Sequence, residues 1–83
     1  MDTDALKSRV LNVFSEIMPE VDIDTIDMAA ALTTEYGVDS VSIIQFIVGL
    51  EGEFDIEFDD YELALGLYYD LNDILSTVAA KVK

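Results

Sequence analysis

The sequence predicts an all-α protein, and three observations carry the prediction. Apolar residues recur at steps of three and four in three separate stretches, the mark of helices that each bury one stripe. The hydrophobic fraction is 52%, too high and too periodic for acidic disorder. The only proline, Pro19, falls just past the first stretch and not inside one, where a helix stops. The 83 residues leave room for one domain, 1–83, with a limited core and, without Cys, no disulfide.

The first helix covers about residues 3 to 18, with Leu6, Val10, Val13, Phe14 and Ile17 as its stripe and Thr3 or Asp4 as its cap. Residues of about 19 to 39 form a long acidic connection. A structureless loop of that length is uncommon in a small domain, so 26–32 is expected to make a helical turn or pack down, anchored by Ile23, Ile26 or Leu32. The second helix covers about residues 40 to 53. At about 100° per residue, Ile43, Phe46, Ile47, Leu50 and Phe54 share one face, the core side. Val41, Ile44 and Val48 share another, with Ser40 between the two. That second face is either covered by the loop or a neighbouring helix, or left partly exposed for a partner; its place beside Ser40 in an acidic chain favours docking. Phe54, Ile56 and Phe58 then alternate with acids, as a short extended segment anchored in the core would. A short third helix is expected at about residues 59 to 66, with Tyr61, Leu63, Leu65 and Leu67 in apolar contact and Gly66 weakening its end. Asp70 and Asp73 resemble a capping pair for the last helix, whose stripe is Leu71, Ile74, Leu75, Val78 and Val82. Lys81 and Lys83 fall at its C-terminus, where positive charge is favoured.

Charge and absences narrow the function. The formal net charge is −14, and from Val10 to Ala80 every charged side chain is acidic. The basic residues Lys7, Arg9, Lys81 and Lys83 all lie near the ends. Such a surface repels nucleic acid and anionic membranes and favours basic partners, although solubility alone would also account for it. Without His or Cys there is no Ser-His-Asp triad, no thiol nucleophile and no common zinc site. The acids from Glu51 to Glu62 do not make a calcium loop: a loop starting at Asp55 needs Gly and Glu where the chain has Asp60 and Gly66. They read as a solvated rim. The longest uncharged run, from Ser40 to Leu50, is far short of the roughly 20 residues that span a bilayer. The acidic start, Met1-Asp2-Thr3-Asp4, lacks the order of a signal peptide. A cytoplasmic monomer is expected.

The run Gly37-Val38-Asp39-Ser40-Val41 organises the rest. Gly37 tolerates positive φ, and Asp39 is placed to cap the second helix. Ser40 then falls on an exposed corner at the start of that helix, beside orphan N–H groups and the positive end of the dipole. That setting suits a phosphate ester, so Ser40 reads as a site of modification and not as a catalytic nucleophile.

These residues resemble the acyl carrier proteins, in the phosphopantetheine-attachment family that also holds peptidyl and D-alanyl carrier proteins. Asp39-Ser40-Val41 is followed at the family's distance by Leu50-Glu51-Gly52-Glu53-Phe54-Asp55-Ile56, and the resemblance covers nearly the whole chain. It implies a small four-helix bundle with a long loop between the first two helices and a short third helix. It implies 4′-phosphopantetheine, taken from coenzyme A by a phosphopantetheinyl transferase and held covalently on Ser40. The arm's thiol would carry acyl or aminoacyl groups as thioesters, making the chain a discrete carrier and not an enzyme. Asp39 would position the modifying enzyme. Val41, Ile44, Glu51 and Glu53, joined by Val48 from its helical face, would meet partners: a loading enzyme and acyltransferase or ketosynthase-type enzymes with basic docking patches. Carriers of fatty acid synthesis usually hold several acids along this helix, where the chain has Ser42, Gln45 and Gly52. A specialised pathway, polyketide or amino-acid-derived, is therefore expected. The alternatives are a fatty acid synthesis carrier and an acidic helical interaction module with no prosthetic group. Phe46 and Phe54 are of a size to fill the interior and restrict long acyl groups.

Overall fold

The first helix, α1 (Thr3–Ile17), is capped one residue earlier than expected. Asp2 is extended and its carboxylate accepts the Ala5 N–H at 2.8 Å, so Thr3 and Asp4 lie inside the helix and not at its cap. The computed structural model describes residues 2–82; Lys83, expected at the last helix terminus, lies outside them. Leu6, Val10, Val13 and Phe14 are buried as the stripe predicts, and Leu11 joins them.

The long connection packs down over 26–32 as expected, with Leu32 in the core and Ile26 and Met28 against it, while its helical turn falls just after that stretch. The turn is α2 (Leu32–Glu35), which begins where the expected one ends. The reason is local competition for the backbone. Asp27 Oδ1 accepts the Ala29 N–H, and the Tyr36 hydroxyl both accepts from the Asp27 N–H and donates to the Asp27 carbonyl. Met28 gives its carbonyl to the Asn72 N–H, and the Leu32 N–H goes to the Tyr69 carbonyl. Leu32 is the buried anchor and Ile26 packs partly against the core.

The next helix, α3 (Ser40–Phe54), contacts α1 and two 3-10 turns, Asp60–Leu63 and Leu65–Leu67. The short third helix thus takes the tighter 3-10 form. Tyr61 and Leu67, expected in apolar contact, are instead exposed. The last helix, α4 (Leu71–Lys81), is capped by Asp70 on the Asp73 N–H at 2.9 Å, while Asp73 accepts from the Tyr69 N–H at 2.8 Å. Ile43, Phe46, Ile47 and Leu50 of α3 meet the α1 stripe and Leu71, Ile74 and Val78 of α4 in one core. Among the described residues all regular structure is helical.

Gly49 sets how closely α1 and α3 approach. A Cβ there would stand 2.8 Å from Val13 Cγ1, so the glycine lets a branched side chain lie directly on the helix backbone. The same pair is clamped at its end by Arg9. Its guanidinium donates to Glu53 Oε2 at 2.8 Å and to the Glu53 carbonyl at 2.6 Å, and lies 4.5 Å from the Phe54 ring centroid.

The acidic rim is solvated as expected, with Glu53, Asp55, Glu57, Asp59 and Asp60 exposed, but three of its acids also hold partners within the fold. Glu53 pairs with Arg9, and Glu51 accepts the Phe58 N–H at 2.9 Å. Glu62 is a hub: its Oε1 accepts from the Asp59 N–H and from Lys81, and its carbonyl accepts the Tyr68 hydroxyl.

Candidate functional site

The turn into α3 is built from Gly37 onward. Gly37 has φ 71°, the left-handed conformation that a side chain disfavours, and it reverses the chain after α2. The Val38 N–H then reaches the Leu32 carbonyl at 3.0 Å, and the Val38 side chain is buried. Asp39 follows in extended conformation. Its carboxylate accepts the Ser42 N–H at 2.8 Å and its carbonyl accepts the Ile43 N–H at 2.9 Å. The bond from the Ser42 backbone holds the Asp39 carboxyl below its ordinary value, so it is ionised as a cap should be.

Ser40 is the first residue of α3 and is exposed. The α3 face beside it is apolar and open: Val41 is 62% exposed, Ile44 44% and Val48 56%. Ile43, Phe46 and Ile47, on the opposite face, are buried completely or nearly so. The geometry thus presents one hydroxyl at a fixed helix entrance, above a stripe of apolar side chains. Glu51 and Glu53 lie further along the helix, and both already hold intramolecular partners. No histidine stands near Ser40 to take its proton, since the chain has none. Among the described residues no cluster of Asp or Glu is arranged to hold a metal ion.

The family model for the phosphopantetheine attachment site matches residues 8–78. The chain belongs to this family of acyl carrier proteins. A curated acyl carrier protein of Desulforapulum autotrophicum is 30% identical over 56 residues, which is 68% of this chain and 73% of that one. The family carries its cargo on 4′-phosphopantetheine, and its members are carriers and not catalysts. An exposed hydroxyl at the head of a capped helix fits a bulky phosphodiester, because nothing buried has to move to admit it.

Sequence reading missed three contributors to this carrier. Gly49 carried a usable signal, since a glycine inside a helix costs about 1 kcal/mol against alanine and commonly marks close packing. Arg9 and Lys81 carried none, because their partners Glu53 and Glu62 lie far along the chain.

Proposed function

We propose that Ser40 is the attachment residue and that the chain presents acyl or aminoacyl groups to partner enzymes of a specialised pathway in the cytoplasm, acting as a monomer. The observation that carries this is the exposed Ser40 at the start of α3, with Asp39 fixed as the cap before it. In the modification, Ser40 Oγ bonds to the coenzyme A phosphorus next to the pantetheine. The phosphoanhydride bond breaks, the nucleotide leaves, and the hydroxyl proton passes to the transferase. The bound group supplies a thiol, which this chain has no Cys to provide. Asp39 holds the first turn in place while the transferase acts.

Val41, Ile44 and Val48 form the docking stripe of this proposal. The pathway assignment rests on what surrounds them. Ser42, Gln45 and Gly52 are uncharged, and the two acids that remain on the helix, Glu51 and Glu53, are engaged within the fold. One carboxylate oxygen of each, Glu51 Oε2 and Glu53 Oε2, meets a basic partner only in competition with Phe58 and Arg9. A partner that contributes an apolar surface and few cations suits this face better than the basic patches of fatty acid elongation.

Intact mass before and after incubation with coenzyme A and a broad-specificity transferase is the test. Addition of one phosphopantetheine, abolished in Ser40→Ala, is expected. Folded protein left unmodified by several transferases would favour the interaction-module reading. Efficient service in fatty acid elongation, with poor loading by polyketide or aminoacyl enzymes, would reverse the pathway assignment.

A further inference from the structure

We infer that the cargo stays outside the helical core, so this carrier handles short or polar acyl and aminoacyl groups and not long alkyl chains; the inference builds on the carrier reading above. An alkyl chain tethered at Ser40 gains by leaving water, and the apolar interior it would have to enter is the core beneath α3. Two seams lead there, one between α3 and α1, the other between α3 and the 3-10 turns.

The first seam is closed at its middle and far end. At its middle the space beside Gly49 does not admit even a Cβ, which would meet Val13 Cγ1 at 2.8 Å. Phe14 and Phe46 fill the adjoining interior with ring centroids 5.2 Å apart, and Tyr36 closes on Phe14 edge-on at 5.9 Å. At the far end Arg9 joins α1 to Glu53 by charge and hydrogen bonds. The second seam is held from α3 by Glu51, whose Oε2 accepts the Phe58 N–H at 2.9 Å, and the 3-10 segment is tied in turn to α4. Phe58 and Tyr68 are buried beneath it. The Tyr68 hydroxyl donates to the Glu62 carbonyl at 2.6 Å, and Lys81 Nζ is 2.9 Å from Glu62 Oε1 and 5.0 Å from the Phe58 ring centroid. A long chain entering by either seam must displace packed rings or break these bonds. Interiors packed in this way give little without cost. A short or polar group gains nothing by entering, and is left in reach of the partner seated on the Val41, Ile44 and Val48 stripe.

The test does not depend on the transferase. The chain has no Cys, so Ser40→Cys introduces a single thiol. Ethyl and octyl groups are coupled to that thiol through a spacer of the arm's length, and the thermal midpoints are compared. The octyl adduct is expected to melt no higher than the ethyl adduct. An octyl adduct melting several degrees higher would overturn the inference, because a chain that binds only the native core raises the midpoint. Phe46→Ala in the same background makes room beside Phe14, and there the octyl adduct is expected to melt above the ethyl one. An equal midpoint in that variant would overturn Phe46 as the residue that closes the core. If Phe46→Ala fails to fold, the comparison in the parent decides alone. Failure of coenzyme A loading would count against the carrier reading and leave this result standing.

Discussion

At the entrance to α3 the Asp39 carboxylate stands next to the residue proposed for modification and holds the turn that presents it. Asp39 and Glu62 are both held below their ordinary pKa values, Asp39 first by the Ser42 backbone N–H and Glu62 first by the Lys81 ammonium. Folded values below the unfolded ones mean stability that is present above the unfolded values of 3.8 and 4.5 and is lost as pH falls through the folded ones. Tyr68 behaves oppositely. Burial, then the charge of Glu62, pushes its phenol from 10.0 up to about 12. Its contribution is complete below the unfolded value and is lost as pH rises toward the folded one. Lys81, raised from 10.5 mainly by its bond to Glu62, fades on the same alkaline side. Tyr68→Phe removes the hydroxyl that the Glu62 carbonyl accepts, and is expected to cost about 1 kcal/mol near neutral pH. The same variant should lose less stability than the parent between pH 10 and about pH 12, since its buried ring no longer titrates. Urea melts at neutral and alkaline pH compare the two directly; equal alkaline losses would remove Tyr68 from the account.

Among the elements, α3 carries two glycines whose surroundings give opposite expectations. Gly49→Ala gains about 1 kcal/mol of helix propensity but drives a methyl into Val13, a stiff, buried side chain, at an overpacking cost of about 1–3 kcal/mol. At Gly52 a Cβ would have no neighbour within 4 Å, so Gly52→Ala should stabilise by up to about 1 kcal/mol. Denaturant midpoints shifted in opposite directions are expected; two gains would mean that α1 and α3 are not in close contact at Gly49. The three long helices were legible in the sequence because their stripes are regular and their caps are local. Asp39 capping Ser42 and Asp70 capping Asp73 each span three residues, and such pairs can be read directly. That Val41, Ile44 and Val48 share a face followed from helical geometry; their exposure was expected from the neighbouring serine and the acidic charge, and the structure leaves them open. What could not be read was non-local. The short turn at α2 is placed by contacts with Tyr36, Tyr69 and Asn72, and the engagement of Glu53 by a residue on α1. The preference of 60–67 for 3-10 turns is likewise invisible in an apolar pattern too short to fix a period.

For the molecule as a whole, the net charge of −14 is confined to a body whose principal extents are 31 × 27 × 19 Å. Its self-repulsion opposes the folded state. Against it stand the Arg9–Glu53 pair, with each side chain 38% exposed, and the Lys81–Glu62 pair. The exposed Arg9–Glu53 pair contributes about 0–1 kcal/mol, and the half-buried Lys81–Glu62 pair is one contact set against 14 unbalanced negative charges. Repulsion therefore outweighs pairing, and added monovalent salt should raise the thermal midpoint at neutral pH. A midpoint that falls with salt would place the two pairs above the repulsion. The bond from the Leu32 N–H to the Tyr69 carbonyl has a consequence on this scale. Leu32 in turn holds Val38, and Val38 sets the turn before Ser40, so the serine's surroundings are finished only when the segment leading into α4 has docked. On the proposed assignment of Ser40, an enzyme that reads the entrance to α3 would therefore also read whether the segment before α4 has docked on Leu32, although the two lie far apart along the chain.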